Sequence, residues 1–272
     1  MMYHINHATS VHNITNVVIA SQDTDVLVSA IYHFKNTFAA QLREMWIISG
    51  KSGAYIVVPL HILSERISPD VIKVLPAIHA LSGCDSTSKV GGTKKAVLKT
   101  ILQYDCNKLI AFGKSPLTDE MIAHAELFLL RCLSKKEDIG TFDALRSMIY
   151  HTNSQQLNLE KLPCTSNSLT LHIKRAYFQC YLWYYSPIEM RFDIDPVDYG
   201  YKISDTVSEA ENDYVLEPVV TNVNILPEDF SQPCSCNKCA SEKVCPCRIR
   251  NIACCKYCKC TSCCRNPYNP DM

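Results

Sequence analysis

The 272-residue sequence lacks any apolar run that approaches the roughly 20 residues of a membrane-spanning helix, so no transmembrane segment is expected. It also lacks a basic stretch followed by an apolar stretch at its N-terminus, which is the pattern of a secretory signal peptide. Without that signal, the sixteen cysteines do not favour an extracellular disulfide framework. Bound metal is the alternative that such a number of cysteines indicates.

A net charge is lacking as well, because 27 basic residues balance 27 acidic ones. The balance hides two segments of opposite sign. Between Glu189 and Asp229, eleven acidic residues stand against two basic ones. After Asp229, seven basic residues stand against two acidic ones. The chain therefore combines an acidic linker, predicted for residues 186–230, with a basic tail.

The first part of the chain has the pattern of an α/β domain. Asn16–Ala20 is a short, β-branched apolar run that predicts a buried parallel strand. Val26–Phe34 is typical of a helix packed against the sheet, and Met45–Ser49 and Tyr55–Val58 predict two strands joined by a turn. Helical patterns dominate from there to Tyr185. Residues 1–185 are thus predicted to form strands followed by a helical cap.

The remaining cysteine-rich segment, residues 231–266, has too few apolar side chains for a core. Ordering a chain costs about 1–2 kcal/mol per residue, which a structural zinc ion offsets with roughly 10–16 kcal/mol of apparent binding free energy. Nine thiolates saturate three tetrahedral zinc ions if three of them bridge two metals. The predicted zinc ligands are Cys234, Cys236, Cys239, Cys245, Cys247, Cys254, Cys258, Cys260 and Cys263.

The spacing of these cysteines resembles that of the tesmin-type CXC domain, which implies about three zinc ions held by nine thiolates. Cys239 departs from the pattern, since the family places its third cysteine later. Cys255 and Cys264 are alternatives for the ninth ligand. A disulfide knot or a metallothionein-like metal store are the alternative interpretations of the segment.

The resemblance also implies DNA binding, and basic residues between the cysteines suit contacts with phosphates. The predicted contacts are Arg248, Arg250, Lys256 and Lys259. DNA is accordingly the expected partner, and the nucleus the expected location.

Two carboxylates follow the first predicted strand. Asp23 and Asp25 lie at its carboxyl end, where α/β sheets commonly carry their functional sites. Oxygen ligands at this position suit Mg²⁺ or Mn²⁺. The alternative is that one acid merely caps the following helix. His79 and Cys84 are interpreted as core residues rather than as functional groups.

A second motif supports the metal hypothesis. Ser82-Gly83-Cys84-Asp85 is followed by a glycine pair and a basic helix start. Together the two motifs resemble the flap endonuclease branch of the PIN-like nucleases. The resemblance implies a metal site formed by Asp23, Asp25 and Asp85. It also implies a grip on duplex backbone by Gly91, Gly92, Lys94 and Lys95.

Three longer runs resemble a group of uncharacterised animal proteins of apparent transposon origin, in which this scaffold is joined to a cysteine-rich tail. The runs are Ser21–Val26, Leu75–Ser88 and Arg175–Trp183. Flap endonucleases draw further acids from elements before the Asp-x-Asp strand, and nothing before Asp23 is acidic. The chain is therefore expected to be an N-terminally truncated PIN-like scaffold, inactive as a nuclease in this form.

Three functions remain open from the sequence. The first is a zinc-dependent DNA-binding protein built on a degenerate nuclease scaffold. The second is a metal-dependent, structure-selective endonuclease completed by residues outside this chain. The third is a scaffold for protein–protein interaction.

Overall fold

We analysed a computed structural model of the chain. The chain forms two compact units, Met1–Asp138 with Asn167–Val219, and Ile139–Ser166 with Val220–Met272. No helix in the part of the chain described below has the length and apolar character to cross a membrane. The structure describes residues 1–51, 53–136, 138–152, 162–189, 193–204, 215–220, 236, 245–249, 254 and 258–260.

The first unit begins with helix α1 (Met2–His12) and a three-stranded sheet in the order β1-β2-β3. The strands are β1 (Asn16–Ala20), β2 (Glu44–Lys51) and β3 (Ala54–Pro59). β1 pairs parallel to β2, and β2 pairs antiparallel to β3. Both the parallel strand and the hairpin predicted from the apolar runs are confirmed.

Burial of β1 was predicted for the whole strand, and that prediction was wrong. Ile19 is 4% exposed, whereas Val18 is 61% exposed. β1 lies at an edge of the sheet, and successive side chains of a strand point to opposite faces. Only the face that carries Ile19 joins the core.

Helices supply the rest of that core. Helix α2 (Thr24–Asn36) connects β1 to β2 and packs against α3 (Leu60–Glu65) and α4 (Pro69–Ser82). The core joins apolar side chains of the helices to those of the sheet, including Ala30, Phe38, Met45, Leu60 and Ile72.

Two further helices begin at threonine caps. The side chain of Thr93 accepts a hydrogen bond from the backbone N–H of Ala96 at the start of α5 (Lys94–Ile101). Thr118 accepts from Met121 in the same way before α6 (Asp119–Leu133). Such caps satisfy backbone donors that the first helical turn leaves without a partner.

The later helices are α7 (Phe142–Thr152) and α8 (Ser166–Tyr185), the second of which belongs almost wholly to the first unit. α8 is 20 residues long and buries Leu169, Ile173, Ala176 and Cys180 on one side. Helices predicted after the strands are therefore present among the described residues, and the fold is mixed α/β.

Two short strands, β4 (Tyr201–Ile203) and β5 (Leu216–Pro218), lie within the range predicted to be an acidic linker. Arg175 on α8 donates from Nη1 to the carbonyl oxygens of Gly200 and Val219, at 3.2 and 3.3 Å. These described parts of the linker thus pack on α8, because one half-buried guanidinium satisfies backbone acceptors next to both strands of the pair.

Candidate metal centre

The last helix in the described part of the chain, α9 (Pro246–Ile249), lies in the cysteine-rich tail. Cys245, Cys247, Cys258 and Cys260 are each at most 3% exposed and form a buried cluster. Cys236 and Cys254 are partly buried and pack against the cluster. Among the described residues of this segment, the buried side chains are those of cysteines.

The sulfurs fall into two groups of three. Cys245, Cys247 and Cys254 form one group, and Cys254, Cys258 and Cys260 form the other. Within each group all sulfur atoms lie within 4.8 Å of one another, close enough to share a metal ion. Cys254 belongs to both groups, so one thiolate at this position can contact two ions.

One distance relates the two groups directly. The sulfur atoms of Cys247 and Cys258 are 3.8 Å apart. Two thiolates on one tetrahedral zinc lie about 3.8 Å apart, given a Zn–S bond of about 2.3 Å. A disulfide would require about 2.05 Å, so these two sulfurs are not bonded to each other. The spacing fits neighbouring metal ligands and equally fits a contact between two thiols.

Five of the nine predicted ligands are thereby brought together: Cys245, Cys247, Cys254, Cys258 and Cys260. Cys236, a sixth, packs against them. The other three predicted ligands, Cys234, Cys239 and Cys263, lie outside the described residues, as do the alternatives Cys255 and Cys264. The tail cysteines can hold a metal ion, as the sequence predicted in outline.

Basic side chains accompany the cluster. Arg248 follows the buried Cys247 on α9 and is half-buried, and Lys259 is exposed between Cys258 and Cys260. Arg250 and Lys256, the other two predicted phosphate contacts of the tail, lie outside the described residues. Lys259 is thus a cation held at the surface by two neighbouring metal-ligand candidates.

The predicted acidic site is assembled differently. Asp23 is exposed and caps α2, with its Oδ1 accepting a hydrogen bond from the backbone N–H of Asp25 at 2.8 Å. The alternative interpretation of this residue as a helix cap is therefore confirmed. Its carboxylate stabilises the positive end of the helix whether or not a metal is bound.

Asp25 has a different partner. Its Oδ1 lies 2.8 Å from Nε2 of His79 on α4, and both side chains are largely buried. The ring of Trp183 stacks on His79 with centroids 5.7 Å apart. His79, interpreted from the sequence as a core histidine, is largely buried and has Asp25 as its partner, so it links α4 to the N-terminal turn of α2.

The third predicted acid, Asp85, is exposed in a turn after α4, where Cys84 and Thr87 form an isolated bridge. Nearby, Ser86 donates to Oε1 of Gln179 at 2.6 Å. In the described part of the chain, the only sets of three histidine, cysteine or carboxylate groups close enough for one ion are those of the tail. Asp23, Asp25 and Asp85 are not such a set.

The glycine pair lies immediately before the first turn of α5. Gly91 and Gly92 have φ of +94° and +76°, which side chains rarely adopt. A Cβ on Gly91 would meet Leu129 Cδ2 at 3.4 Å, so the turn packs closely on α6. Lys94 and Lys95 are exposed beside it. The turn is thus closely packed and the two lysines are accessible, and phosphate contact by these residues stays a prediction.

Sequence reasoning missed two features of these sites. The spacing pattern indicated bridging thiolates but did not single out Cys254, which belongs to both three-sulfur groups. It also gave no sign that Asp25 pairs with His79, since 54 residues separate them. A histidine on an otherwise apolar helix face was the one available signal.

Comparison with protein-family models, with curated proteins and with solved structures finds no match to this chain.

Proposed function

We propose that the chain is a zinc-thiolate protein that binds DNA through its C-terminal cysteine cluster, on an α/β body that no longer acts as a nuclease. The observation that carries the proposal is the pair of three-sulfur groups that share Cys254. Zinc is the favoured ion, because tetrahedral all-thiolate sites are typical of structural zinc. The proposed content is about three ions, with the remaining ligands drawn from the rest of the tail.

Electrostatics favours a metal in this cluster. Four of the sulfurs are almost fully buried, and burial disfavours a thiolate unless a cation compensates it. A divalent ion supplies that compensation and releases the thiol protons on binding. A thiolate shared by two ions lowers the net negative charge of the centre further. The gathering of five sulfurs into two groups of three is thus better suited to a metal cluster than to isolated thiols.

DNA binding follows from the cations around the cluster rather than from a base-reading surface. Lys259 is exposed, and seven basic residues follow Asp229. Basic side chains held at fixed points on a metal cluster suit phosphate contacts, which position a protein without reading sequence. The proposed mode is therefore salt-dependent attachment to the DNA backbone.

Salt titration of DNA binding by the zinc-loaded full chain tests this mode. Lys259→Gln should reduce the slope of log affinity against log salt by about one, because one phosphate contact is lost. Lys108→Gln, which removes an exposed lysine from the first unit, is the matched control and should leave the slope unchanged. Equal slopes for the wild type and both variants would show that Lys259 does not contact DNA.

The inactive-scaffold half of the proposal rests on the acids. Asp23 is engaged as a helix cap and Asp25 with His79, whereas two-metal hydrolysis needs carboxylates that clamp ions about 3.5–4 Å apart. Incubation with flap and duplex substrates in Mg²⁺ or Mn²⁺ should give no cleavage. Metal-dependent cleavage that Asp85→Ala abolishes would instead establish the endonuclease function.

A further inference from the structure

The outer edge of the sheet at β3 exposes a continuous apolar strand. Tyr55, Ile56 and Val57 are 63%, 65% and 53% exposed. Successive side chains of a strand point to opposite faces, so both faces of this strand are exposed, not one. An isolated exposed apolar residue is ordinary, but three in a row on one strand are not.

The backbone of the same strand has hydrogen-bonding capacity to spare. Across the described residues, β3 is paired with β2 alone, in the register Ile56 opposite Ser49 and Val57 opposite Ile48. An edge strand directs every second N–H and C=O away from its sheet. Another strand satisfies these groups best, so the partner expected at this edge is a segment in extended conformation.

The sequence of β3 is complementary to itself. If two copies pair antiparallel about Ile56, each Tyr55 faces the Val57 of the other copy, and Ile56 faces Ile56. Ala54 then faces Val58. Aromatic with β-branched pairs are among the favourable cross-strand neighbours. None of these five positions carries a charge, so the pairing brings no like charges together.

The edge also lacks the usual features that prevent such pairing. Natural edge strands are commonly protected by lysine, by proline within the strand or by a bulge. β3 has its only proline at its last residue, Pro59, and its register with β2 runs without interruption from Ala54. The opposite edge, β1, differs in having one strongly exposed apolar residue, Val18.

We propose that β3 is a homodimer interface, in which two copies of this chain join their sheets by antiparallel β3–β3 pairing about a two-fold axis. The contact is isologous, so it closes at two copies and does not propagate. It extends each three-stranded sheet into one of six strands. The proposal is independent of the metal centre and of DNA binding.

Sedimentation velocity of the full chain over a range of concentrations tests the interface. The wild type should sediment as a dimer at the higher concentrations, with twice the mass of one chain. Ile56→Lys should weaken dimerisation at least tenfold, because it places two lysines opposite each other. Val18→Lys is the matched control, equally apolar-to-charged and 61% exposed, on the other edge, and it should remain dimeric.

Hydrogen exchange of the wild type provides a test that needs no variant. Amides of Tyr55–Val57 should exchange more slowly as protein concentration rises, while amides of β1 should not change. A wild type that is monomeric at every concentration would overturn the proposal. So would a dimer that survives Ile56→Lys in a folded protein, or one that Val18→Lys dissociates equally.

Discussion

Cys254 is the residue on which the metal centre depends most, because it belongs to both three-sulfur groups. Cys245 and Cys260 each belong to one of them. A substitution at Cys254 should therefore remove a ligand from two ions, and a substitution at either of the others from one. The geometry predicts unequal effects from chemically identical changes.

Cys254→Ser should reduce the zinc content of the purified chain by more ions than Cys260→Ser does, as measured by native mass spectrometry. Hydroxyl oxygen is a much poorer zinc ligand than thiolate, so each ion that loses a sulfur binds more weakly. Cys84→Ser, which lies outside the tail, is the control and should not change the zinc content. Equal losses for the two tail variants would contradict the shared role of Cys254.

His33 determines part of the pH dependence of stability. Its Nε2 lies 2.8 Å from the carbonyl oxygen of Trp183, and its Nδ1 lies 2.8 Å from the hydroxyl of Thr37. Burial lowers the pKa of His33 from 6.5 to about 4. The pKa of the buried His172 is also lowered by desolvation. At pH values where these histidines begin to be protonated in the unfolded chain, both rings are therefore still neutral in the folded protein.

The free energy of unfolding should fall as the pH decreases from about 6.5 to about 4. In this window the unfolded chain binds more protons than the folded protein, so stability rises with pH, and His33 contributes roughly 3 kcal/mol of the change. Denaturant unfolding at several pH values measures it. His33→Gln should flatten the dependence, and an unchanged slope in that variant would exclude His33 as a contributor.

The positions of the acidic residues were predictable from the sequence, but their partners were not. Asp23 and Asp25 were placed correctly at the carboxyl end of a strand, because an apolar run followed by Asp-x-Asp is a local pattern. Their partners were not predictable, since the contact between Asp25 and His79 depends on how α2 packs against α4. Local patterns locate carboxylates, and tertiary packing decides what they bind.

At the scale of elements, the turn before α6 is constrained by its approach to α8. Gly113 has φ +81°, and a Cβ there would lie 2.5 Å from Cβ of Cys180. Gly53 has a similar φ of +90°, but a Cβ there would meet nothing within 4 Å. Substituting each of the two glycines therefore separates the effect of backbone strain on stability from the effect of close packing.

Gly113→Ala should lower the free energy of unfolding by about 2–4 kcal/mol, because overpacking adds to the strain of a left-handed residue. Gly53→Ala shares only the strain and should lower it by about 1 kcal/mol. Chemical denaturation of the two variants measures the difference. A Gly113→Ala protein as stable as Gly53→Ala would mean that α8 does not pack closely on this turn.

Helix starts and strand pairing were predictable because their signals are local. Thr93 and Thr118 cap helices within the range predicted to be helical, and β2 and β3 pair as the predicted hairpin. The exposure of Val18 was not predictable from its apolar neighbours. Burial of a strand depends on which faces the helices cover, and no short stretch of sequence carries that information.

At the scale of the whole molecule, the α/β class and the cysteine-rich tail followed from composition and spacing, whereas the PIN-like assignment remains a prediction. A neutral chain with an acidic stretch and a basic tail suggested that charge is divided among segments. The described part of the basic tail agrees with this pattern, since Lys259 is exposed while the buried side chains are those of cysteines. Stability and DNA binding of the tail should therefore depend together on metal.

The zinc content of the full-length chain, measured by native mass spectrometry before and after chelation, tests this account most directly. We predict more than one zinc ion per chain, about three at saturation, all removed by a strong chelator together with the affinity for DNA. A chain purified under reducing conditions that holds no zinc and takes up none when zinc is supplied would contradict the central claim.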